Sequence, residues 1–210
     1  MPRPSPETQP HANHAVVLEK RLRLGEDHVA PLVEMADRIA AAEGLHPGAV
    51  PYPDPTFGGT RARLLFLLDS PGPRAKAQTG GSGLISVDNA DPTAARMHAA
   101  YRRLGIDRSR CLHWNVCPFP TAKDQSSPGE RARAVPYTRE LLSLLPELAV
   151  VVLLGRAAED GWRRTSRLRP GLRVLVAPHP SNRGINAVPG NEARFLAAMT
   201  EAANLLTAAA

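Results

Sequence analysis

Four short apolar runs restrict this chain more than any other feature. They cover residues 63–68 (Arg-Leu-Leu-Phe-Leu-Leu), 110–114, 150–154 (Val-Val-Val-Leu-Leu) and 172–177. Each is too short for a stable helix, and all but 110–114 (Arg-Cys-Leu-His-Trp) are rich in β-branched residues or Leu. A run that is apolar with little alternation is the pattern of a strand covered on both faces. Between the runs lie segments with helical spacing, so strands and helices alternate. Alternation of this kind builds a mostly parallel sheet with helices packed on either side. The expected fold class is therefore α/β: a three-layer α/β/α sandwich with a four-stranded, mostly parallel central sheet.

Local signals fill in the remainder. Val29, Leu32, Val33, Met35, Ala36, Ile39 and Ala40 predict an amphipathic helix over 26–42, stopped by Gly44. Residues 46–60 read as a Pro/Gly-rich loop, and 70–90 as a long Gly/Ser-rich one, a length more typical of functional or disordered loops. Asp91-Pro92 opens a helix that Gly105 ends. Ser127-Pro128-Gly129-Glu130 has capping-box spacing and opens a helical stretch to about residue 145, which Pro136 should kink or divide. Gly155 turns the chain into a short helix through Trp162, and Asn191 caps a last helix to about residue 206.

A chain of 210 residues suits one domain with a real core. Residues 1–15, Pro- and His-rich with no apolar h-region, read as a flexible N-terminal tail and not as a signal peptide. Residues 16–210 read as the single folded domain. No apolar run reaches membrane-span length, so no membrane partner is expected. Cys111 and Cys117 are too few for a Cys-only metal site and lack secreted-domain spacing, which points to a reducing, cytoplasmic compartment. His11 and His14 have the spacing of a metal pair, but they stand in a Pro-rich tail and are discounted as ligands. No metal and no cofactor are expected, and nothing suggests more than a monomer.

The net charge is +6, and of 26 basic residues only Lys20, Lys76 and Lys123 are Lys. Arg carries a planar fork suited to phosphate, and a basic balance attracts polyanions. Charge alone leaves nucleic-acid binding and simple compositional bias equally open.

Polar residues follow three of the four runs. Asp69 and Ser70 end the first, Asn115 the second and His179 the fourth. In parallel α/β sheets ligands bind just beyond the carboxyl ends of the strands, so these side chains should line one rim. Asp69 could merely cap its turn and Asn115 its strand end. An Asn amide also donates and accepts side by side, as pairing with the edge of a pyrimidine demands. Ser70 has no neighbouring His and no nucleophile-elbow flanks. No phosphate-loop or dinucleotide glycine pattern is present.

Taken together, Asp69-Ser70-Pro71-Gly72-Pro73, Ala77-Gln78-Thr79-Gly80, Asn115-Val116-Cys117-Pro118 and His179-Pro180-Ser181 resemble the uracil-DNA glycosylase superfamily. The nearest likeness is to its single-strand-selective monofunctional branch. The resemblance spans about residues 63–186. It implies a DNA glycosylase that flips a uracil or related pyrimidine out of single- or double-stranded DNA and hydrolyses its N-glycosidic bond. Asp69 would activate water, with Ser70 assisting, and His179 would stabilise charge on the departing base. Pro71, Gly72, Gln78, Gly83 and Asn115 would form the base pocket. Ser181, Asn182 and Arg183 would contact DNA, with 181–186 entering the minor groove. The chain departs from the branch in two places. Ser70 stands where the branch has a water-positioning Asn. Gly81, Ser82 and Gly83 stand where an aromatic normally stacks on the base, which opens space for a bulkier one. A catalytically inactive DNA-binding protein on the same scaffold is the alternative outside the enzyme class.

Overall fold

The computed structural model describes residues 9–123, 125–165 and 171–208. In chain order its helices and strands are α1 (His14–Leu22), α2 (Ala30–Ala42), β1 (Tyr52–Pro53), β2 (Leu64–Leu68), β3 (Leu84–Ile85) and α3 (Pro92–Leu104). There follow β4 (Cys111–Asn115), α4 (Pro128–Arg133), α5 (Val135–Ser143), β5 (Val150–Leu154), α6 (Arg156–Arg163), β6 (Arg173–Ala177), α7 (Asn182–Asn186) and α8 (Asn191–Ala208).

The main sheet has four strands in the order β4-β2-β5-β6, and every neighbouring pair is parallel. The register brings the strand ends level. Leu68 lies opposite Asn115, Leu67 opposite Leu153 and Leu154 opposite Ala177. Asp69, Val116, Gly155 and Pro178 therefore step off one rim together.

Successive side chains of a strand point to opposite faces, and both faces are buried. Leu65, Leu67, Leu112, Trp114, Val151 and Leu153 pack with α2, α5 and α6. Leu64, Phe66, Cys111, Val150, Val152 and Leu154 pack with α3 and α8. The three-layer α/β/α expectation holds. At the β6 edge Val174 and Val176 remain exposed.

Pro136 divides the helical stretch as expected: α4 ends before Ala134 and α5 begins after it. The Ser127–Glu130 capping box is formed in both directions. Asp91 caps α3 through Thr93 and Ala94 N–H, and Gly105 closes it in the left-handed region.

Several expectations are revised. Residues 9–15 are not a tail. Pro10–Ala12 forms a 3-10 turn, Asn13 caps α1, and the His11 N–H donates to the Asp88 carbonyl. The first part of that expectation, residues 1–8, lies outside the described residues. Tyr52–Pro53 and Leu84–Ile85, both inside segments read as loops, pair as a small parallel sheet. Asn191 begins α8 but spends its amide elsewhere, donating to the Gly184 carbonyl at 2.8 Å.

Candidate active site

Beyond the carboxyl ends of β2, β4, β5 and β6 lies a cleft of about 830 Å³. Asp69, Ser70, Pro71, Gly72, Asn115, His179, Ser181 and Arg183 all line it. The structure thus brings together side chains from three strand ends and the loop that follows β6.

Asp69 is buried, and its carboxylate accepts from a single distant residue. Ser126 N–H donates to Oδ2 at 3.3 Å and Ser126 Oγ donates to Oδ1. The backbone around Asp69 is held as well, because Cys117 N–H donates to its carbonyl at 3.0 Å. Asp69 therefore has one side secured to the loop before α4 and one side open to the cleft.

Asn115 is 4% exposed and faces the cleft from the end of β4. Its side chain makes no hydrogen bond to any described residue, so both donor and acceptor are available. Two residues earlier on the same face, His113 forms the cleft floor. The His113 ring stacks on Phe66 with centroids 4.8 Å apart and shares a 2.9 Å hydrogen bond with the Tyr101 hydroxyl. Burial first, then the nearby Arg108 cation, pushes the His113 ring down to about 3, so it is a neutral surface at ordinary pH.

His179 Nδ1 accepts from Ser181 N–H at 3.2 Å. That bond leaves the proton on Nε2, the nitrogen free to donate. Burial lowers the titration of this ring from its ordinary value, while the Asp69 charge pulls the other way and does not prevail. The surrounding backbone fits closely. Gly155 sits at φ +94°, and a Cβ there would lie 2.9 Å from the His179 Cβ; a Cβ on Gly184 would lie 2.3 Å from the His179 carbonyl. Arg96 of α3 fixes the next turn, donating to the Pro180 carbonyl at 2.5 Å and to Asn182 Oδ1 at 3.3 Å.

Some expected pocket residues lie elsewhere. Gln78 is exposed, donates to the Gly48 carbonyl at 3.3 Å and does not line the cleft. Gly83 is buried away from the cleft at φ +75°; its carbonyl accepts from Tyr52 N–H, because β1 draws this segment into a sheet. Asn182 is turned to Arg96 and is absent from the lining. The wall on this side is built instead by Ile85, Val87, Ala94 and Met97. Among the described residues no Phe, Tyr or Trp lines the cleft.

Behind that wall lies a buried charge cluster. Lys20 donates to Asp54 at 2.6 Å and to Asp88 at 2.7 Å, and Arg108 forks onto Asp88 at 2.8 Å. Ser86 Oγ donates to Asp54, and Asn89 accepts from Ser82 and from His11. His11, Asp54 and Asp88 lie close enough to hold a metal ion. The Lys20 ammonium already bridges the two carboxylates, so the charge a cation would supply is present.

Ser126 and Arg96 are not singled out from sequence, and His113, inside the segment 113–118 that reads as part of the site, receives no role there. His113 had a usable signal, since strand periodicity puts it on the face of Asn115. Ser126 had none, being 57 residues from Asp69 in the chain.

Comparison with protein-family models matches residues 55–203 to the Uracil DNA glycosylase superfamily. No curated protein matches the chain.

Proposed function

From its membership of the uracil DNA glycosylase superfamily, a group of N-glycosyl hydrolases acting on DNA, we propose that this chain is a monofunctional DNA glycosylase. An extrahelical nucleotide enters the cleft, and Asn115 pairs with the edge of the base. Asp69, with Ser70 beside it, orients and deprotonates a water. The water oxygen attacks the sugar carbon, the C–N bond breaks, and its electron pair leaves on the base. The His179 Nε2–H donates toward that developing charge, an electrostatic role that a neutral imidazole can fill. Among the described residues no Lys lines the cleft, so a Schiff-base route has no nucleophile there. Ser181 and Arg183 meet the DNA backbone, and Asn182 holds their turn through Arg96.

One observation carries this reading: Asp69, Asn115 and His179 face a single cleft, with the Asn115 amide unspent. The four segments quoted above support the finer likeness to the single-strand-selective branch. The cleft volume and the lack of a Phe, Tyr or Trp among its described lining residues favour a second reading in the same class, a bulkier or substituted pyrimidine as the preferred base.

The test is direct. The protein is incubated with single- and double-stranded oligonucleotides bearing uracil, mismatched thymine, hypoxanthine or modified cytosines, then treated with alkali. Breaks at the base position identify the substrate and the preferred strand. Binding without breaks on every substrate would sink the glycosylase reading and leave an inactive DNA-binding protein.

A further inference from the structure

We propose that Ser126 is a positioning residue for the Asp69 carboxylate and that Arg131 acts through Ser126 in the same task. The inference rests on the reading of Asp69 as the water-activating group.

The geometry is a chain of three links. Ser126, itself 6% exposed, gives both its N–H and its hydroxyl to Asp69. Arg131 of α4 donates to the Ser126 carbonyl, and to Ser126 Oγ at 3.0 Å. Arg131 is in turn held by Asp160 of α6, whose Oδ2 accepts from Nε at 2.7 Å. Because Oγ accepts from Arg131, its own proton has one productive direction, toward Asp69. Because Asp160 holds Arg131, the guanidinium stays off the carboxylate.

That arrangement differs chemically from an ion pair. A direct Arg fork would occupy both carboxylate oxygens and compensate the charge in place. Ser126 uses one acceptor site on each oxygen, and an ionised carboxylate offers about four. The remaining sites face the cleft, where a water would be held. The loop before α4 therefore aims Asp69 without consuming it.

Other charges near Asp69 are constant across the test. His179 and Cys117 sense its charge, and Arg156, Glu159 and Arg183 line the same cleft. None is altered by substitution at position 126.

The experiment reads Asp69 directly through its carboxyl-carbon NMR signal, identified by its loss in Asp69→Asn. Loss of hydrogen bonds to the anion favours its protonated form. The titration midpoint should rise by about one pH unit in Ser126→Ala, and by less in Arg131→Met. Ser126→Thr should return it to the wild-type position. Ser126→Cys keeps the volume with a weaker donor and should shift the midpoint the same way. Unchanged midpoints in Ser126→Ala and Ser126→Cys overturn the proposal, even if both variants lose thermal stability.

The acid limb of single-turnover excision, on the oligonucleotide cleaved best, should move with the midpoint. A moved midpoint with a stationary limb refutes the base role of Asp69 and leaves the Ser126 contact standing. A stationary midpoint in an active enzyme does the reverse.

Discussion

His179 and Asp69 make opposite demands on one cleft, and each is met by a neighbour that takes one of its atoms. The Ser181 N–H occupies Nδ1, so the imidazole can only donate toward the cleft. Burial keeps that ring neutral below its ordinary range, so excision should stay flat from about pH 7 upward as far as His179 is concerned. Loss of a positioned acid–base or electrostatic group costs about 10²-fold or more. Asp69→Asn and His179→Ala should each lower single-turnover excision by at least that factor while leaving DNA affinity nearly unchanged. Wild-type rates in Asp69→Asn would move the water-activating role to Ser70. At this scale the strand-end residues Asp69, Asn115 and His179 were readable, because a parallel sheet places strand ends on one rim whatever the loops do. Gln78 and Gly83 were misplaced because a motif names a residue but not the direction of its loop, which the two-residue β1–β3 pairing decides.

Among the elements, α1 and the turn before it do the least expected work. Their apolar pattern is weak, and Leu18 and Leu22 are exposed, so binary patterning gives little reason to fold residues 9–15 onto the domain. The segment is held by polar atoms instead. His11 donates to Asn89, Gln9 donates to the Asp91 carbonyl, and Lys20 sits between Asp54 and Asp88. All three contacts land on or behind the wall containing Ser86, Val87 and Asn89, which lines the cleft. Breaking a buried ion pair by removing one partner costs about 3–5 kcal/mol, because the other charge is left uncompensated. Lys20→Met should therefore destabilise the protein by about that amount in denaturant unfolding. Arg108 still serves Asp88, so Asp54 carries most of the loss. Adding Asp54→Asn should recover a large part. A double variant as unstable as the single one would mean that the ion pair is not what holds the strap. β2 and β5, by contrast, were legible because each is apolar on both faces, a property that survives any tertiary arrangement. β4, with His113 and Asn115 on one face, and β6, with Val174 and Val176 exposed, were legible from their place in the alternation with helices.

For the whole molecule, protons and phosphate are the two external variables that matter. His11, His113 and His179 all titrate below their ordinary 6.5, each chiefly through burial. The unfolded chain binds these protons first as pH falls, so folding stability is complete above about 6.5 and declines below it. The slope is about 1.4 kcal/mol per pH unit for each such ring, and for His113 it continues down to about 3. Stability curves should bend near pH 6.5, above the range where carboxylates begin to titrate. A flat curve from pH 7 to 5 would contradict the buried, neutral rings.

The second variable tests how the cleft meets its polymer. Arg156 and Arg183 line the cleft and are exposed, and neither forms an ion pair or hydrogen bond with any described residue. Their charges are free to displace counterions from phosphate, whereas Arg96, Arg108 and Arg131 are committed to internal partners. The net charge of +6 therefore overstates neither a patch nor a contact; what counts is which guanidinium groups remain unspent at the cleft. Each phosphate contact contributes about 0.7 to the salt slope of affinity on single strands and about 0.9 on duplex. Arg183→Ala should weaken binding of matched and unmatched sequences alike and reduce that slope by about one contact. Arg102→Ala, at an exposed position outside the cleft, is the control and should leave the slope unchanged. Equal slopes for wild type and Arg183→Ala would remove Arg183 from the DNA path and direct the search for the phosphate contact to Arg156.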